Sequence, residues 1–174
     1  MSDIADRLAR LEDRAELQDL IVRFFLAADN DDTAGLAAAF ADDARFSISG
    51  WTGGSTRAEV VAFLVGEREK MGLTVHTPNY ALFTFTDADR ASGLVGAHLE
   101  LVCGGTSVFG AVRYQDEYVR QDGAWRILSR DMRTIHIAPW AEVGEAFASG
   151  RPVRWPGVNP APSDFPRKSQ DLTC

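Results

Sequence analysis

A chain of 174 residues, 45% hydrophobic and 25% charged, has the make-up of one soluble globular domain with a real core. With 25 acidic against 18 basic residues the formal charge is −7, which argues against nucleic acid or an anionic membrane surface as the main partner. No apolar run approaches the roughly 20 residues that span a bilayer, the opening MSDIADRLARLEDR lacks a signal peptide's apolar centre, and two cysteines, Cys103 and Cys174, make no disulfide framework, so free thiols and a cytoplasmic location are expected.

The first predicted element is a helix over residues 3 to about 30. Ile4, Leu8, Leu11, Ala15, Leu17, Leu20, Ile21 and Phe24 recur at three- and four-residue spacing. Its first half is studded with charge and should be the more exposed. From Leu20 to Ala28 only Arg23 is polar, so this end should be wrapped by the rest of the protein. Asp29 follows directly, and a carboxylate in such a place is costly without a partner.

Asn30-Asp31-Asp32 stops the helix, and Asp32 or Thr33 can cap a short second helix through Phe40. Residues 44 to 49 (ARFSIS) alternate as a strand. Residues 50 to 54 (GWTGG) read as a loop. Ser55 or Thr56 caps a third helix running to about Met71, ended by Gly72. His76-Thr77-Pro78-Asn79 leads into a second strand, Tyr80 to Thr86. Strands over 91–103, 107–120 and 124–137 follow, joined by turns at Gly104-Gly105 and Asp122-Gly123. One or two helical turns over 140–148 come next. The rest holds five of the chain's seven prolines and can continue neither sheet nor helix. Residues 139–174 are therefore expected to be an extension laid over the domain of residues 1–138 or over a neighbouring subunit.

Helices first and then a long antiparallel meander is an α+β order. A strongly curved antiparallel sheet folded around the first helix would form a cone-shaped α+β barrel with a pocket inside. Its convex back would need a cover, so a homodimer or higher homo-oligomer is expected.

The segments RAELQDLIVRFFLAADNDD and LAAAFADDARFSI, then HTPNYALFTFTDADRASG, then RYQDEYVRQDGAWRILSR resemble the SnoaL-like branch of the nuclear transport factor 2 superfamily over residues 3 to 138. In that branch bile-acid dehydratases, scytalone dehydratase and a lindane dehydrochlorinase use an Asp–His pair, and the resemblance places Asp29 and His76 at those positions. It also implies cofactor-independent elimination or isomerisation on a cyclic apolar small molecule such as a steroid, terpenoid or polyketide, with no cofactor required. Members of the superfamily also serve as binding or assembly subunits, which is the alternative. One departure stands out. Relatives carry tyrosine or lysine five residues before the Asp, and this chain has Phe24, which can donate no proton.

Residue chemistry agrees with a dyad but does not demand one. A neutral imidazole suits proton abstraction, and a carboxylate would fix its tautomer. The plainer alternative is that Asp29 only ends the helix and that His76 is a loop histidine. Around the dyad, Phe24, Trp51, Tyr80, Tyr114, Arg133 and His136 are the candidate substrate-binding residues. Alternation places Arg133 on the face of Trp125, Ile127 and Ser129, where it could bind an oxyanion or pair with Asp116 or Asp131. His76, His98 and His136 lack metal-ligand spacing, so no metal is expected.

Overall fold

The computed structural model describes residues 3–165. Helix α1 (Ile4–Asp29) starts on Asp3, whose side chain accepts from the Ile4 N–H. Helix α2 (Thr33–Ala39) is capped by the Asp32 carboxylate. Then come β1 (Phe40–Ile48), β2 (Trp51–Gly54) and helix α3 (Arg57–Arg68), capped by Thr56. The long strands are β3 (Met71–Phe85), β4 (Arg90–Cys103), β5 (Thr106–Gln121) and β6 (Ala124–Pro139). A 3-10 turn (Trp140–Glu142) and α4 (Val143–Ala148) precede the last segment.

The six strands form one curved sheet in the order β2-β1-β6-β5-β4-β3. The sheet is mixed rather than antiparallel throughout, because β1 runs parallel to β6. It is also not closed: β2 and β3 are its two edges. Residues 51–54, read as a loop, instead pair with β1 as an edge strand. Helix α3 ends at Arg68, and β3 begins at Met71, so His76 and Pro78 lie inside a strand rather than before one. The edge position explains the proline, since a residue without an N–H is tolerated where no further strand needs it. Three two-residue hairpins have positive φ at both central residues, 49° and 85° at Ser49-Gly50, 56° and 75° at Gly104-Gly105 and 52° and 77° at Asp122-Gly123, as primed turns require.

Helix α1 fills the hollow of the sheet with Leu17, Leu20, Ile21, Phe24, Phe25, Ala27 and Ala28. The wrapping is one-sided: Val22 and Leu26 remain exposed, so the helix rests against the sheet rather than being surrounded by it. Asp13 pins it lower down, accepting from Trp125 Nε1 at 3.0 Å and from Arg120. The segment after α4 returns to β6. Val153 bridges Ile137 on one side and Ala161 on the other. Asp164 accepts from the Thr134 N–H at 2.7 Å and from Ser49 Oγ at 2.5 Å.

Candidate active site

Asp29 closes α1, and the curved β3 passes across that helix end. Thr74 and His76, two residues apart on one strand, face the same way. Together they surround the Asp29 carboxylate. His76 Nδ1 lies 2.5 Å from Oδ1, the His76 backbone N–H donates to Oδ2 at 2.9 Å, and Thr74 Oγ1 donates to Oδ1 at 2.9 Å. Both the imidazole and the carboxylate are 16% exposed. Burial by itself pushes the Asp29 carboxyl up. The hydrogen bonds and charge offered by His76, together with Thr74, overcome this and hold it below its ordinary value. An ionised carboxylate only accepts hydrogen bonds, so Nδ1 carries a proton toward it, and in the neutral ring Nε2 is the nitrogen with the free lone pair.

His76 forms part of the wall of a cavity of about 540 Å³, a size suited to a small molecule. The wall is mainly apolar. Phe24 and Ala28 come from α1, Phe46 and Ile48 from β1, and Phe63 and Leu64 from α3. Leu99, Leu101 and Cys103 of β4, Tyr114 of β5 and Met132 of β6 supply the sheet side. Trp51 stands at the rim, with Glu67, Arg68 and Lys70. The segment after α4 contributes Trp155, Pro156 and Val158. Burial pushes the Tyr114 phenol far above its ordinary value, so it stays protonated and can donate.

Behind this wall is a second charged pair. Arg130 grips Asp116 with two bonds, Nε to Oδ1 at 2.9 Å and Nη2 to Oδ2 at 2.6 Å. The Tyr118 hydroxyl also donates to Asp116. The Arg130 guanidinium lies 4.4 Å from the Phe24 ring centre and 4.7 Å from that of Tyr114. Burial disfavours its charge, but Asp116 more than compensates and keeps it protonated.

The structure brings His76, Phe24, Trp51 and Tyr114 to the cavity, with Asp29 bonded to His76 outside the lining. It takes Tyr80, Arg133 and His136 to the opposite face of the sheet, away from the cavity lining. Tyr80 is half exposed, its hydroxyl accepting from Arg113 Nε at 2.9 Å. Arg133 pairs with Asp131. His136 is buried among Phe109 and Phe147, with no partner for Nδ1. For Tyr80 and Arg133 the cause is the same, whereas at His136 the two extra residues of β6 cancel and it faces outward as plain alternation from Ile127 would have it. A single extra residue in a strand reverses which face the following side chains occupy. Asn79 is extra between Pro78 and Tyr80 of β3. On β6, Leu128 and Ile135 are extra where the pairing to β5 shifts. Hence Arg130 and Met132, not Arg133, point inward.

Thr74, Phe25, Arg130 and Trp155 escaped the sequence reading. Thr74 was findable, standing two residues before His76. Phe25 stands one turn before Asp29 but looks like ordinary core. Among the described residues no three His, Cys, Asp or Glu side chains are grouped to hold a metal ion. No described helix is long and apolar enough to cross a membrane.

Residues 9–131 match the model of the SnoaL-like domain. A γ-hexachlorocyclohexane dehydrochlorinase of Sphingobium indicum is 32% identical over 148 residues, 82% of this chain and 91% of the relative. Hexachlorocyclohexane dehydrochlorinase 1 of the same species is 32% identical over 153 residues, 80% of this chain and 95% of the relative. The crystal structure of LinA superposes with a TM-score of 0.73 at 28% identity, over 78% of this chain and 94% of that one.

Proposed function

This chain belongs to the SnoaL-like domain family, and from that premise we propose that it is a cofactor-independent lyase of the elimination type acting on a cyclic, mostly apolar small molecule. The observation that carries the reading is the Asp29–His76 contact in the wall of an apolar cavity. His76 Nε2 takes a proton from substrate carbon. The C–H electron pair becomes the new C=C bond, and the leaving group departs with the electrons of its own bond. Asp29 keeps the proton on Nδ1 and stabilises the imidazolium as it forms. Phe24 cannot assist the departing group, so the protonated Tyr114 phenol is the donor assigned to it. The same base would serve an isomerisation, in which the proton returns to a different carbon. Self-association through the outer sheet face, where Leu82, Trp140 and Phe147 stay exposed, belongs to the same proposal.

The first probe is γ-hexachlorocyclohexane, the compound named for the relatives, followed by other cyclic apolar compounds with a leaving group beside a C–H bond. Chloride release or product formation is measured for the unaltered chain and for His76→Ala. A positioned base is worth roughly 10²–10⁴-fold, and the variant should lose that much. Turnover that survives the substitution removes the proposal. A binding module is the second reading, favoured by the absence of a proton donor at Phe24. Tight binding of such compounds with no product from any of them would establish it instead.

A further inference from the structure

The contact between Asp29 and His76 leaves one freedom unused. A hydrogen bond to Nδ1 fixes one edge of the imidazole, but the ring can still swing about that bond, and Nε2 would swing with it. The structure supplies a second hold from the same helix. Phe25 stands four residues before Asp29, one turn back on the same face of α1. Its ring lies parallel to the imidazole, with an interplanar angle of 10° and centroids 5.1 Å apart. This is the offset-stacked arrangement that aromatic pairs favour.

Phe25 is itself immobilised. It is 2% exposed, meets Phe24 edge-on at 5.5 Å, and is tilted against Tyr114 at 5.6 Å. It does not reach the cavity, so it touches no substrate. One helix therefore grips the imidazole twice, by its edge through Asp29 and by its face through Phe25.

We infer that Phe25 is a positioning residue: its ring fixes the plane of the His76 imidazole so that Nε2 stays aimed into the cavity. This rests on the proposal that His76 is the base. Ordinary core packing would need only an apolar side chain of the right size at position 25. Positioning needs a flat one, parallel to the imidazole. Proton transfer is sensitive to aim, so loss of the stack should lower kcat about ten-fold while leaving KM unchanged.

The test uses the full chain with isotopically labelled histidine and phenylalanine, and His76→Gln identifies the His76 resonances among the three histidines. In the unaltered chain, nuclear Overhauser contacts should join the Phe25 ring protons to the His76 ring protons. Both imidazole carbon-bound protons should be shifted upfield by the ring facing them. In Phe25→Leu that upfield shift should vanish, and with γ-hexachlorocyclohexane as probe kcat should fall while KM holds. Absence of the contacts and of the shift in the unaltered chain overturns the inference, and that measurement requires no variant to fold. A Phe25→Leu chain that loses the shift but keeps full kcat overturns it too. The two readings fail differently. An absent stack with an inactive His76→Gln chain leaves the base in place and removes only Phe25. A present stack with a fully active His76→Gln chain removes the base, and with it any catalytic use of the stack.

Discussion

Two carboxylates in this protein each hold a nitrogen cation or base, and their surroundings are opposite. Asp116 and Arg130 are wholly buried, 0% exposed on both sides, with Tyr118 donating to the same carboxylate. His76 lines a cavity and Asp29 is bonded to it, each 16% exposed. A buried guanidinium cannot release its proton, so the first pair holds a fixed charge distribution. It ties β5 to β6 and supports the rings of Phe24 and Tyr114 from behind. The second pair holds an imidazole instead, and that ring has an open side toward the cavity. Burial and a salt link alone thus do not mark a reactive site. What separates the two pairs is access and the ability to exchange a proton.

Breaking the sealed pair should produce the largest effect. Asp116→Ala strands the Arg130 charge in the core and should cost about 3–5 kcal/mol of unfolding free energy, read from urea denaturation. Breaking the open pair should act on chemistry instead. Asp29→Asn should lower kcat by roughly 10²–10⁴-fold, with a loss of only about 1 kcal/mol in the same denaturation experiment. If Asp29→Asn unfolded the chain and Asp116→Ala did not, the contrast would be wrong way round.

A finer test uses pH. The folded state holds the Asp29 carboxyl below its ordinary 3.8, so its contribution to stability is present above that value and fades as pH falls through the lowered one. His136 also falls below its ordinary value of 6.5, because of burial and then the neighbouring His98. Its neutral form is favoured in the fold, so its contribution is complete above 6.5 and declines as pH falls from there. Stability should therefore decline in two stages on acidification, the first from His136 and the second from Asp29. The smallest effect belongs to His136→Phe. Replacing a buried ring with an unpartnered Nδ1 should change stability at neutral pH by no more than about 1 kcal/mol, and should abolish the first stage.

How far the sequence could be read depended on how far each residue stood from an irregularity. Helix α1 was legible because its spacing is regular, and the Gly104-Gly105 and Asp122-Gly123 turns because primed hairpins demand such pairs. Asp29 and His76 could be paired in advance through the family resemblance, since residue chemistry alone left open the plainer reading of a helix-ending aspartate and a loop histidine. Tyr80 and Arg133 could not be placed. Tyr80 follows the extra Asn79 and Arg133 the extra Leu128, and a bulge leaves no mark that alternation in one sequence can reveal. Arg130 was missed for the same reason, since unbroken alternation would face it away from Trp125 and Ile127. Trp155 lies where no periodic pattern remains, so nothing signalled that it returns to the cavity.

The parallel pairing of β1 with β6 sets an order of events for the newborn chain. Ser47 Oγ donates to Asp131 across a separation of 84 residues, and no nearer strand offers β1 its second neighbour. Such remote pairing slows folding, because a long loop must close before any contact rewards it. The stretch that carries Phe46 and Ile48 therefore waits for the final strand to emerge. A nascent chain cut short before β6 already has both Asp29 and His76, but it has no enclosed space for them to face.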